Sequence, residues 1–289
     1  MIRKAVIPVA GLGTRLLPLT KALPKEMLPI LDKPVLQHTI EELVASGIDD
    51  IIIVTSQRKS LIQQHFAPDD DLDLRLRGDG KDQLADELRG VTQLARITYL
   101  YQDGPYGNGT PVLNAARIVG DEPFMVLWAD DVFTSTVPRA QQLITAHERT
   151  GAPVLGLMPM EPRESQRYGV PVVADELGGG LLRITGIVEK PKPEDAPSPY
   201  ASIGGYVVTP GIVTELERAT ERYLADPRGE VYLSNAIHQH AAHNAAYGQV
   251  IEGTWWDTGN PIGYLRAQFA AALAHPEYGP ELRKLIEPE

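Results

Sequence analysis

Residues 11–34 read GLGTRLLPLTKALPKEMLPILDKP and gather groups suited to holding phosphate. Gly11, Gly13 and Thr14 follow the apolar run Ala5-Val6-Ile7-Pro8-Val9-Ala10, and Arg15 and Lys25 add two cations. Glycines let backbone N–H groups approach anionic oxygens closely, and the cations neutralise the charge. Leu16 stands where a dinucleotide fingerprint needs its third glycine, and no Gly-Lys-Ser/Thr follows, so the stretch is neither that motif nor a Walker A loop. For GxGxxR taken alone, a tight strand-to-helix turn with surface cations is the simpler reading. Further along, Asp130 in LWADDV and Asp257 in TWWDTG put two carboxylates at strand ends. Mg²⁺ takes one or two protein carboxylates and fills its remaining positions with water and phosphate oxygens. Spacing alone leaves that pairing open, and Asp131 reads as a turn or cap residue. Gln102, in QDGPYGNGTPV, offers an amide that can meet the donor–acceptor edge of a pyrimidine. Glu189-Lys190 before Pro191, taken alone, reads as a solvated turn.

These residues need strands and helices to position them. Apolar, β-branched runs at Ala5–Val9, Ile51–Thr55, Ile97–Tyr101, Phe124–Trp128, Val154–Met158, Val170–Val173, Ile184–Val188 and Ser202–Val208 predict strands. Leu36, Ile40, Leu43 and Val44 share one face of a helix over 34–46, which Gly47 closes. This β-α-β opening implies a parallel sheet with a right-handed crossover and a ligand at the carboxyl ends of the strands. A helix is expected from Pro111. The charged run 67–90 predicts a solvated loop and an exposed helix. Gly178–Gly180 reads as a hairpin turn, Pro191–Pro199 as a surface loop, and the tail from Pro261 as helical to about Ala274. The alanine-rich face of that tail could serve a subunit contact or plain packing. His238 and His240 cannot share a helix face and are expected at the surface.

A chain of 289 residues with 43% hydrophobic and 22% charged content is an ordinary globular composition. The absence of cysteine excludes disulfides, thiolate metal sites and cysteine nucleophiles. A formal charge of −11 argues against a nucleic-acid partner, no apolar stretch suits a membrane span, and no signal-peptide architecture opens the chain. A cytoplasmic protein is the expectation.

GxGTRL followed by PKEML and DKP resembles the signature of sugar-1-phosphate nucleotidylyltransferases, and further matches run to about residue 269. The resemblance implies an α/β fold, with a Rossmann-like mixed, mostly parallel sheet flanked by helices and a smaller β-rich sugar-binding part. A single domain is expected, with a nucleotide part at about 1–130, a sugar part at about 131–260 and a helical tail at 261–289. PKEML favours transfer of a uridylyl group from UTP to a hexose 1-phosphate, expected to be glucose 1-phosphate. Thymidylyl transfer from dTTP, or a regulator that binds nucleotide sugars without turnover, stays open. The resemblance further implies Mg²⁺ on Asp130 and Asp257, with Arg15, Lys25 and Lys190 as the other catalytic groups. Ala10, Gly11, Gly13, Thr14, Arg15, Lys25, Gln102 and Gly107 would bind the nucleotide. Gly169 (in RYGVP), Glu189, Lys190, Gly204 (in SIGGY) and Glu230 (in GEVYLSNAI) would bind the sugar phosphate. A homodimer or homotetramer is expected. Three residues depart from the family pattern: Thr110 replaces a histidine, Gly205 a large residue or arginine, and Asn235 an aspartate, which leaves a competent helix cap.

Overall fold

The computed structural model describes residues 2–286. Its first strand, β1 (Lys4–Pro8), is buried on both faces and hydrogen-bonds in parallel to a neighbour on each side. β2 (Pro29–Ile30) and β3 (Lys33–Pro34) form a small ribbon that leads into α1 (Val35–Ala45), whose Leu36, Ile40 and Leu43 are buried. Then come β4 (Asp50–Thr55), α2 (Ser60–Phe66), α3 (Asp70–Gly78), α4 (Asp82–Thr92), β5 (Arg96–Tyr101), α5 (Gly109–Val119) and β6 (Phe124–Leu127). The second half runs β7 (Asp131–Thr134), α6 (Arg139–Thr150), β8 (Val154–Pro159), β9 (Gly169–Glu176), β10 (Leu181–Glu189) and β11 (Tyr200–Val208). It closes with α7 (Pro210–Ala225), α8 (Leu233–Ala241), β12 (Ala246–Val250), β13 (Thr254–Asp257), α9 (Pro261–Ala274) and α10 (Tyr278–Arg283).

Nine strands make one sheet in the order β5-β4-β1-β6-β11-β8-β12-β10-β9. The strands of the first half, β5-β4-β1-β6, are parallel, as the βαβ pattern requires. β11 joins antiparallel to β6, and antiparallel pairs carry most of the second half. An apolar core lies on each face: α1, α2 and α6 cover one, and α5, α7 and α8 the other.

The charged run 67–90 differs from expectation, because it forms two helices, α3 and α4, in place of a loop and one helix. Asp69 caps α3 by accepting from the Leu72 N–H at 3.0 Å, and Arg77 bridges Asp73 on α3 and Asp86 on α4. The two histidines also differ. His238 is half-buried over Gly186, its Nδ1 within 3.1 Å of the Ile187 carbonyl, and His240 packs over Gly211. Each fills space that a glycine leaves open.

Candidate active site

The glycine-rich segment after β1 does not enter an α-helix; it winds through short 3₁₀ turns at Thr14–Leu16, Leu19–Lys21 and Lys25–Met27. Backbone N–H groups of the loop itself, without a long helix dipole, are therefore what it can offer an anion. Gly13 adopts a left-handed conformation (φ 65°), and its carbonyl accepts from the Thr20 hydroxyl at 2.8 Å. Beneath the loop, Lys59 donates to both oxygens of Glu26 at 2.8 and 3.0 Å and to the Val9 carbonyl at 2.5 Å. Both side chains are buried, and burial moves their pKa values toward the neutral forms, Glu26 up and Lys59 down, against their mutual attraction.

Two adjoining cavities open at the carboxyl ends of the parallel strands. The larger, about 630 Å³, is lined by Ala10, Gly11, Lys25, Gln102, Gly107 and Glu230, with Tyr106, Pro111 and Tyr232. The smaller, about 230 Å³, is lined by Arg15, Gly169, Glu189, Lys190, Gly204 and Asp257. Asn108, Trp128 and Asp130 border both. The residues expected at nucleotide and sugar thus gather into neighbouring spaces, with three differences. Arg15 faces the smaller cavity, Glu230 faces the larger one, and Gly13 and Thr14 line neither.

The wall of the larger cavity is held by the chain's own backbone. The Val231 N–H donates to the Tyr106 carbonyl at 2.9 Å, and the Gly109 N–H to the Val231 carbonyl at 2.8 Å. Gly107 lies at φ 136°, and a Cβ there would stand 2.2 Å from the Val231 carbonyl oxygen, so only glycine fits. α5 starts at Gly109, two residues before Pro111, and the Thr110 hydroxyl donates to the Pro105 carbonyl at 2.6 Å. Thr110 thereby braces the turn that carries Gln102 and Gly107.

Asp130 and Asp257 meet through an element with no distinct signal in the sequence. Asp257 ends β13, which pairs antiparallel with β7 so that Asp257 stands opposite Asp131. The backbone N–H and hydroxyl of Thr258 both donate to the Asp130 carbonyl at 2.8 Å. A Cβ placed on Gly259 would lie 2.5 Å from Asp130 Oδ2 and 3.2 Å from Asp257 Oδ1, so the two carboxylates face one small space. Lys25 Nζ sits 2.5 Å from Asp130 Oδ2, while Arg167 at 2.7 Å and the Tyr168 hydroxyl at 3.1 Å hold Asp257 Oδ2. Burial opposes ionisation of Asp130, but the Lys25 ammonium outweighs it and holds the carboxyl below its usual range. Among the described residues no cluster of three or more metal-ligating side chains occurs. Two hard carboxylates facing one gap fit an ion that draws its other ligands from phosphate and water.

Asp131 is neither a turn nor a cap residue. It is the buried first residue of β7, accepting from the Gly204 N–H at 2.8 Å and the Trp255 indole N–H at 2.6 Å. Burial, with Asp130 and Asp257 beside it, pushes its pKa up to about 7. Gly205 points away from the smaller cavity: a Cβ there would meet Leu143 at 2.9 Å and Arg139 at 3.2 Å. A larger residue at this position would face α6, not the sugar phosphate. The space houses the fully buried Arg139, which is paired with Glu42 and donates to the Gly204 carbonyl at 2.7 Å. Asn235 is an exposed residue inside α8, whose cap position is Tyr232, so it caps nothing. Lys190 has φ 49°, uncommon outside glycine, and its Nζ lies 3.3 Å from Glu189 Oε1. Glu26, Lys59, Arg139, Trp128 and Arg167 also shape the site. Glu26 within PKEML, Trp128 within LWADDV and Arg167 within RYGVP have a local signal in the sequence, and Lys59 and Arg139 have none.

A family model described as nucleotidyl transferase matches residues 4–272. The chain belongs to the nucleotidyl transferase family. A UTP–glucose-1-phosphate uridylyltransferase of Staphylococcus epidermidis is 39% identical over 99% of this chain and 98% of its own. The UTP–glucose-1-phosphate uridylyltransferase YngB of Bacillus subtilis is 37% identical over 99% of this chain and 95% of its own. Among solved structures, a UTP-bound UGPase from Acinetobacter baumannii superposes with a TM-score of 0.89 at 31% identity, covering 99% of both chains. Nucleotidyl transferases of this kind generally use a divalent metal.

Proposed function

We propose that this nucleotidyl transferase moves a uridylyl group from UTP to glucose 1-phosphate, giving UDP-glucose and pyrophosphate. The observation that carries the reading is that Asp130 borders both cavities and shares with Asp257 the small space beside Gly259. UTP occupies the larger space, with the uracil edge at Gln102, helped by the backbone of Ala10, Gly11 and Gly107. Glucose 1-phosphate occupies the smaller, with its phosphate at Lys190 and its hydroxyls toward Glu189, Gly169 and Gly204. A phosphate oxygen of the sugar attacks the α-phosphorus of UTP in line. The bond to the bridging oxygen breaks, and its electrons leave with pyrophosphate. A phosphate monoester is already an adequate nucleophile, so no general base is needed, and positioning plus electrostatics supply the acceleration. Lys25 in the larger cavity neutralises the triphosphate, and Arg15, which faces the smaller cavity close to Asp130, meets the phosphates where the two spaces join. Mg²⁺ is the metal we assign to Asp130 and Asp257, where it would neutralise charge on the reacting phosphates.

The relatives named for uridylyl transfer and the PKEML sequence favour UTP over dTTP. One methyl separates the two bases, and a pocket discriminates a methyl by about 1–3 kcal/mol. Retention of Arg15, Lys25, Asp130, Lys190 and Asp257 together speaks for an enzyme over a mere binder. We also propose a cytoplasmic setting, in keeping with the cysteine-free composition, and a homodimer or homotetramer. Ile262, Leu265 and Phe269 form an exposed apolar stripe along α9 that a subunit contact would bury. A pyrophosphate-release screen of UTP and dTTP against several hexose 1-phosphates tests the reaction. UTP with glucose 1-phosphate should give the highest kcat/KM, and a higher value for dTTP, or no turnover with any pair, would refute it.

A further inference from the structure

We propose that Arg167 is a stored counter-ion, which neutralises Asp257 in the free protein and passes to the phosphate of the sugar substrate when a divalent metal binds. The inference rests on reading Asp130 and Asp257 as metal ligands and the smaller cavity as the sugar-phosphate site. Arg167 ends the 3₁₀ turn Pro162–Arg167 and reaches the end of β13, where it donates to Asp257 Oδ2 at 2.7 Å. Its guanidinium lies 5.1 Å from the centre of the Tyr168 ring and lines the smaller cavity. A guanidinium carries five N–H donors, so the contact with Asp257 leaves most of them for another partner. The arginine side chain is 43% exposed and the aspartate 16%. Of the two, the arginine is the one free to move.

Charge decides what it does. Asp257 turns Oδ1 toward the space it shares with Asp130 Oδ2, and the Gly259 N–H holds that oxygen at 3.1 Å. Lys25 neutralises Asp130, while Arg167 neutralises Asp257 through its other oxygen. The arginine thus leaves Oδ1 open and weakens the attraction of the carboxylate for a cation. Two positive charges brought to the shared space make Arg167 surplus there. A phosphate monoester in the same cavity offers about two negative charges and a geometry that matches the arginine fork. Asp257 needs no such partner at that point, since Tyr168 and Gly259 still hold it. Lys190 gives the monoester one cation, and Arg167 gives it a second. Metal and sugar phosphate then strengthen each other's binding by the same factor.

Mn²⁺, followed by the EPR signal of the free ion, probes this without turnover. It is titrated into wild type, Arg167→Gln, Arg167→Lys and Arg163→Gln, with and without glucose 1-phosphate. Without the sugar phosphate, Arg167→Gln should bind Mn²⁺ about fivefold or more tighter, because a neighbouring cation is gone. Arg163→Gln removes a charge from an exposed position on the same turn and should bind Mn²⁺ as wild type does. Loaded with Mn²⁺, Arg167→Gln should hold glucose 1-phosphate about tenfold or more weaker, with little change for UTP. Arg167→Lys, which keeps the charge, should return both affinities toward wild type. Unchanged or weaker Mn²⁺ binding by Arg167→Gln would show that the arginine orients Asp257 instead of competing for it, and would overturn the proposal. Equal losses for UTP and glucose 1-phosphate, or an equal gain in Arg163→Gln, would overturn it as well. Asp257→Asn checks the underlying reading separately, because wild-type Mn²⁺ affinity in that variant would remove Asp257 from the metal site whatever Arg167 does.

Discussion

Burial alone would lower the pKa of Lys25, yet the Asp130 carboxylate at 2.5 Å pushes it up to about 12. The stability that Lys25 contributes is present below its ordinary value of 10.5 and is lost as the pH rises through about 12. Asp130, held below its ordinary 3.8, contributes stability above that pH and loses it as acid takes the pH below. The pair is therefore ionised throughout the neutral range. In Lys25→Met, burial of Asp130 loses its main counterweight and its pKa should rise, so the variant's stability deficit should shrink as the pH falls from 8 to 5. Urea midpoints at both pH values check this, and a deficit that widens on acidification would show that Lys25 is not what keeps Asp130 charged. Gln102 carries the base-reading claim. Gln102→Leu removes a hydrogen-bond partner of the bound base worth about 1–3 kcal/mol, so preference for UTP over ATP should collapse while UTP against dTTP changes little. Ratios of kcat/KM for the three nucleotides decide it, and retained discrimination against ATP would move the reading to backbone at Ala10 and Gly107.

The glycine-rich segment after β1, built of short 3₁₀ turns, hangs on a buried ion pair between its own Glu26 and Lys59 at the start of α2. Breaking a buried pair leaves an uncompensated charge, so Lys59→Met should cost about 3–5 kcal/mol, while Lys59→Met with Glu26→Leu should recover most of that. Chemical denaturation of both variants tests it; a double variant as unstable as the single would assign the cost to the lost Val9 contact instead. This pair also marks the limit of the sequence reading. β1, α1, α9 and the glycine loop were legible because apolar periodicity and turn residues are local. Lys59 and Glu26 lie 33 positions apart and find each other only after β4 is paired to β1. Arg139 could not be matched to Gly205, nor His238 to Gly186, because a glycine shows no sign of what will fill the space beside it. The β7–β13 ribbon escaped for a different reason: four-residue strands carry too little periodicity to stand out from the turns around them.

At the scale of the molecule, a parallel first half and a mostly antiparallel second half share one sheet through the β6–β11 pairing, and the two cavities meet above that seam. Which motifs must meet was legible in LWADDV and TWWDTG; the ribbon that joins them was not. The proposed reaction depends on the two carboxylates at this junction. Turnover of UTP and glucose 1-phosphate, measured against Mg²⁺ concentration in Asp130→Asn and Asp257→Asn, tests it most directly. Each folded variant should lose at least about 100-fold in kcat, as when a charge-stabilising group is removed from a transition state. Normal Mg²⁺-dependent turnover in either variant would contradict it.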